Sequence, residues 1–163
     1  MRLIVRIWLV LLLSGCLSLA ADELDDSFDR DVLVIVGSSH TCYLFDIYLA
    51  ITPAQTRRGL MHVRDMPETT GMLFVYDEDD YHSMWMKNTL IPLDMLYVRA
   101  DGTIATIHTD AEPHSLESLG PNEPVRYVLE LNGGVTAKYQ IDLNSRLIWR
   151  GMRQQTAAMD SAR

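Results

Sequence analysis

The chain is short of cysteine, of positive charge and of long apolar runs. Two cysteines, Cys16 and Cys42, stand among 163 residues. A single pair cannot build the disulfide framework of a small secreted scaffold. Asp and Glu outnumber Lys and Arg by 22 to 14, a formal net charge of −8. Nucleic-acid binding wants clustered Lys and Arg, so that class of partner is set aside. Docking on anionic lipid by charge alone is disfavoured for the same reason. No apolar run reaches the ~18 residues that a membrane-spanning helix needs. The sequence also lacks a G-x-S-x-G elbow, an H-E-x-x-H helix and a P-loop, which removes the commonest hydrolase, metalloprotease and nucleotide signatures. It has no internal repeat and no low-complexity domain.

What is present begins with an export signal. Arg2 and Arg6 precede a short apolar core over residues 7–13, followed by Leu13-Ser14-Gly15-Cys16. This pattern resembles a bacterial lipoprotein signal, with residues 1–15 removed and lipid attached to Cys16. Ordinary cleavage near Ser18-Leu19-Ala20, leaving a soluble periplasmic protein, is the alternative. With lipid on Cys16 the protein faces the periplasm from a membrane. Leu17 in place of Asp favours the outer membrane. Residues 16–31 are rich in Asp and read as the lipidated end and an acidic tether. Cys42 then has no partner within the chain, and its apolar surroundings suggest a buried thiol.

Residues 32–151 carry a domain's pattern, and residues 152–163 read as a polar, flexible tail. Strands are expected over 32–36, 43–51, 71–76, 82–87, 95–99, 103–109, 125–131 and 147–149. Thr52-Pro53-Ala54-Gln55 is a capping box with proline at the first helical position, so a short helix starts there and Gly59 ends it. A second short helix is expected over 135–140. Asp77 to Asp80 read as a solvated acidic turn, because calcium-loop spacing is missing. The fold class is mostly β: a compact antiparallel sandwich or barrel with one or two short helices.

Five stretches occur in order: Arg58-Gly59-Leu60-Met61, Gly71-Met72-Leu73-Phe74, Trp85-Met86-Lys87-Asn88-Thr89, Ile91-Pro92-Leu93-Asp94 and Tyr127-Val128-Leu129-Glu130-Leu131. Together they resemble the DUF192 family, prokaryotic domains of unknown function, over residues 43–149. The resemblance implies a compact, jelly-roll-like β fold and no established activity, substrate or cofactor. The chain departs from the family pattern at Asn132-Gly133-Gly134 and at Asn144-Ser145.

The chemistry concentrates in residues 85–94 and at Glu130. A cation, an amide and carboxylates among large apolar side chains call for partners. Lys87 is expected to pair with Asp94 or Glu130 under the cover of Trp85, either as a structural ion pair or as a polar pocket for a small ligand. Arg58, Trp85, Lys87, Asn88, Asp94 and Glu130 are the ligand-binding candidates. Arg58 has a competing role in bracing the helix on the sheet. A hydrolase or carbohydrate-active enzyme would use Lys87, Asp94 and Glu130, with the separation of the two carboxyls deciding the chemistry. His82, Met84 and Met86 alternate as soft copper ligands would, although methionine is also a common core filler. His108, Asp110, Glu112 and His114 alternate too, on a stretch that reads as solvated loop. No cofactor is implied. The reading is a binding or accessory module rather than an enzyme, whose partners are the membrane through Cys16 and a small ligand or envelope protein.

Overall fold

The computed structural model describes residues 24–152. The signal segment, Cys16 and the tail from residue 153 lie outside the described residues. Seven strands run β1 (Asp29–Val36), β2 (Cys42–Ala50), β3 (Thr70–Asp80), β4 (Leu93–Val98), β5 (Ile104–Ala111), β6 (Val125–Asn132) and β7 (Arg146–Ile148). Among the described residues there are also two short helices, α1 (Pro53–Arg58) and α2 (Val135–Lys138), and helical residues at 24–25 and 150–152.

The strands form one sheet in the order β5-β4-β6-β3-β2-β1-β7. All neighbours are antiparallel except β2 and β3, which run parallel. The sheet is mostly antiparallel, as expected, with one parallel pair. The parallel pair follows from α1, which carries the chain across between β2 and β3. The sheet curls until its edges approach. Thr103, in the β4–β5 hairpin, bridges Arg146 of β7, and Leu147 N–H donates to the Gly102 carbonyl at 2.8 Å. Of the sandwich and barrel alternatives, the chain takes a half-barrel route.

Curling gives the sheet two different faces. The inner face gathers Leu33, Phe45, Leu73, Leu96, Leu129 and Leu147 into one core that draws on every strand. The outer face of β2, β3, β4 and β6 carries Tyr48, Met72, Phe74, Met95, Tyr97 and Val128, under Leu60, Val63 and Met86 from the connecting segments. Each of the largest buried side chains contributes roughly 1.5–3 kcal/mol of transfer free energy.

Several boundaries differ from the sequence expectation for physical reasons. Residues 24–31 are folded, where a tether was expected: Leu24 and Phe28 are buried in the outer-face cluster, and β1 begins at Asp29. Residues 77–80 are the exposed end of β3, where a turn was expected. Their charges are tolerated because that end meets solvent, and Asp79 accepts from Arg126 at 2.7 Å. Residues 82–87 form no strand. They run extended, with a single bridge from Met84 to Leu119. Cys42 is exposed, because it opens β2 on the face opposite Phe45 and Ile47.

The capping box is formed. Gln55 N–H donates to Thr52 Oγ1 at 3.3 Å, and Thr52 N–H donates to Gln55 Oε1 at 2.9 Å. Gly59 ends α1 with φ 48° and ψ −141°, a conformation that only glycine adopts without strain. Gly71 serves a different need. A Cβ there would stand 2.6 Å from the Glu130 carbonyl oxygen, so glycine lets β3 lie close against β6 at that point.

Candidate functional site

The register of β4 against β6 decides which charged residues can meet. Asp94 stands opposite Leu131, and Met95 stands opposite Glu130. Directly paired residues share a face and neighbours along a strand alternate. Asp94 therefore points to the inner face with Leu131, and Glu130 to the outer face with Met95. The two carboxyls lie on opposite sides of the sheet and do not form a catalytic pair. Lys87 joins neither. It is exposed, and its ammonium sits over the Trp85 ring, 5.0 Å from the centroid. The expected Lys87 ion pair is replaced by a cation–π contact at the surface, which asks less desolvation of the lysine.

Asp94 is wholly buried and fully employed. Oδ1 accepts from the backbone N–H groups of Asp110 (2.9 Å) and Gly134 (3.1 Å). Oδ2 accepts from the N–H of Thr136 (2.8 Å) and its hydroxyl (2.6 Å). The N-cap of α2 is Gly134, which has no side chain to cap with. Asp94 supplies that cap from a neighbouring strand, and one carboxylate joins β4, β5 and α2. Its role is to hold the fold.

Glu130 is the opposite case. It is 4% exposed, and among the described residues no hydrogen bond reaches its carboxyl. Burial pushes its pKa up to about 8, so the acid is mostly protonated at neutral pH. It lies at the floor of a cavity of about 220 Å³. Phe74 and Tyr76 of β3 supply one wall. Gly59 to Met61, just after α1, supply a second. Met84, Trp85 and Thr89 supply the third. Trp85 is 49% exposed at the mouth. Burial first, and the neighbouring Glu130 second, push the Tyr76 phenol up to about 12. Tyr97 on β4 is raised by the same causes in the same order, and its hydroxyl donates to the Leu119 carbonyl at 2.7 Å.

The loop that closes this cavity is shaped by Asn88. Its φ of 57° is a left-handed conformation that asparagine tolerates. Thr89 N–H donates to the Met86 carbonyl at 3.1 Å across the turn, and the Asn88 carbonyl accepts from His62 N–H at 2.9 Å. Asn88 thus sets the wall and is not itself among the cavity-lining residues. Arg58 lines the rim, but its guanidinium donates to Ser27 Oγ and lies over the Phe28 ring at 5.4 Å. It clamps the N-terminal segment to α1, where bracing of the helix on the sheet was expected.

The soft-metal candidates are each engaged. His82 stacks on Tyr76 with centroids 3.5 Å apart, and its Nε2 meets the Glu78 carbonyl at 3.2 Å. Met84 Sδ accepts from the Tyr76 hydroxyl at 3.8 Å, and Met86 is packed in the outer-face cluster. Among the described residues no group of three or more His, Cys, Asp and Glu side chains gathers to hold a metal ion, His108, Asp110, Glu112 and His114 included. A second, larger concavity of about 400 Å³ lies along β5 and residues 112–119. Its acids, Glu112 and Glu117, are exposed.

Sequence reasoning named Trp85 and Glu130 but missed Tyr76, Met61 and Tyr97. The available signal was the single acid in the apolar run of β6. Its neighbours across the sheet depend on register, which no local pattern carries.

The profile of the DUF192 family, described as "Uncharacterized ACR", matches residues 34–149. A crystal structure from Sinorhizobium meliloti 1021, provisionally called a transcription regulator, is 41% identical. The alignment covers 75% of this chain and 95% of that one, with a TM-score of 0.73. A protein of unknown function from Novosphingobium aromaticivorans DSM 12444 is 32% identical over 74% of this chain and 85% of its own, with a TM-score of 0.71. No curated protein matches.

Proposed function

This chain belongs to the DUF192 family, and from that premise we propose that it is an envelope-anchored binding domain whose ligand site is the Glu130 cavity. The observation that carries the reading is the Glu130 carboxyl, buried, without a partner among the described residues, at the floor of an open cavity. An unpaired buried polar group costs about 1–3 kcal/mol, and a fold keeps such a cost most readily where a ligand relieves it. Four of the five sequence stretches that mark the family supply residues to this one cavity: Gly59, Phe74, Trp85 and Glu130. They come from positions spread over more than half the domain. The reading favours binding over catalysis, because Asp94 stands on the other face of the sheet and no second acid among the described residues lines the cavity. Anchoring through Cys16 follows from the signal pattern and would hold the cavity on the periplasmic side.

A small-fragment screen by saturation-transfer NMR tests the site. Fragments that bind the protein should lose binding in both Glu130→Gln and Trp85→Ala. Hits that survive both substitutions would place binding elsewhere and sink the reading.

A further inference from the structure

The cavity's charge and lining narrow the ligand class. The groups around Glu130 can be taken element by element. Beside it on the outer face stand Met72 of β3 and Met95 of β4, both apolar. Along β3, Phe74 and then Tyr76 follow on that face, and along β4 Tyr97 is next; both phenols are raised and therefore neutral. On β6 itself Arg126 is four residues away and is committed to Asp79. Arg58 is committed to Ser27 and Phe28, Lys87 lies over Trp85, and His82 is stacked on Tyr76. Arg57 stays exposed at the rim.

Burial alone raises the acid at the floor, and the two arginines that line the cavity, Arg57 and Arg58, belong to α1 at its edge. At the floor itself an anionic group would meet either a neutral acid or a like charge, whatever the arginines at the edge offer it. A cation would give the carboxylate the charge-assisted hydrogen bond it lacks. The walls suit the same ligand. Trp85 and Tyr76 add aromatic rings to the lining, one face of Tyr76 being covered by His82, and aromatic faces attract cations. The polarisable thioethers of Met61 and Met84 accommodate an apolar body. The Lys87 ammonium already resting on Trp85 shows that this ring receives a cation.

We propose that the cavity binds a small organic ammonium ion, its N–H groups paired with the Glu130 carboxylate and its apolar body held against Trp85 and Met61. This deepens the binding function proposed above and rests on it. Binding moves one proton: the Glu130 carboxylic acid gives up its hydrogen to solvent as the ammonium takes its place. With the acid's pKa at about 8, deprotonation at pH 7 costs about a factor of ten in affinity, and the new ion pair offsets it.

Three probes of similar size and different charge discriminate: benzylamine, benzamide and benzoate, titrated by calorimetry at pH 6, 7 and 8 in two buffers of different ionisation enthalpy. Benzylamine should bind at about millimolar strength, the level open to so small a ligand. Its affinity should rise about tenfold per pH unit below 8, with close to one proton released at pH 6. Glu130→Gln should weaken it at least tenfold, and benzoate should not bind. Benzamide binding as tightly with no pH dependence below 8 would overturn the ammonium inference while leaving the site intact. So would unchanged benzylamine affinity in Glu130→Gln. Failure of all three probes on the folded protein would overturn the inference and the binding site together.

Discussion

Glu130 links stability to pH with a sign opposite to that of most carboxylates. Burial raises its folded pKa from the ordinary 4.5 to about 8. Between those values the native state keeps a proton that the unfolded chain releases. The contribution is complete below about pH 4.5, declines as pH rises by at most about 1.4 kcal/mol per unit, and levels off above about pH 8. Glu130→Gln keeps the shape and removes the titration. Denaturant unfolding from pH 5 to 9 should show the variant gaining stability relative to the native sequence as pH rises. Parallel curves for the two proteins would mean that Glu130 is not a buried, protonated acid. Asp31, Asp101 and Asp142 have lowered pKa values and contribute in both proteins alike, so the difference isolates residue 130.

At the level of elements, Asp94 decides how α2 and β5 join β4. A four-residue helix with a glycine N-cap has little stability of its own. Its anchorage is the Asp94 carboxylate, which receives donors from Asp110, Gly134 and Thr136. Asp94→Asn turns one oxygen into an NH2 group that faces N–H donors. The expected loss is about 3 kcal/mol, measurable by urea unfolding, with faster hydrogen exchange at the Gly134 and Thr136 amides. Protection unchanged at those amides would remove Asp94 from the joint. The outer-face segment over residues 81–92 makes a contrasting element. It holds its alternation without a full ladder, through Met84 paired to Leu119 and Met86 N–H donating to Ser115 at 3.1 Å. Few ladder bonds tie it down, so this cavity wall can open locally at low cost.

For the whole molecule, the sheet's curl sets function apart from stability. The inner face is closed by the meeting of Thr103 and Arg146 and carries a continuous apolar core. The outer face is covered by irregular segments, and these leave the Glu130 cavity open. The proposed anchor places this unit at a membrane. Metabolic labelling with palmitate in the native host should mark the protein and should be lost in Cys16→Ser. Labelling that persists in the variant would refute attachment at Cys16, and secretion of unlabelled native protein would favour cleavage near Ala20.

The sequence by itself determined the strand-rich class, the capping box at Thr52 to Gln55, the family and the two acids of interest, Asp94 and Glu130. These depend on local periodicity, on side-chain chemistry within a few residues, and on the order of motifs, all of which are written along the chain. Tertiary structure alone decided that Asp94 and Glu130 face opposite ways, that Lys87 pairs with Trp85 instead of a carboxylate, and that Tyr76 and Met61 belong to the cavity. It also decided that Cys42 is exposed and that Leu24 and Phe28 are core. The physical reason is that sheet register and curl come from contacts between distant strands. A shift of one residue would exchange every inward side chain for an outward one, and no local pattern records which shift the folded core selects.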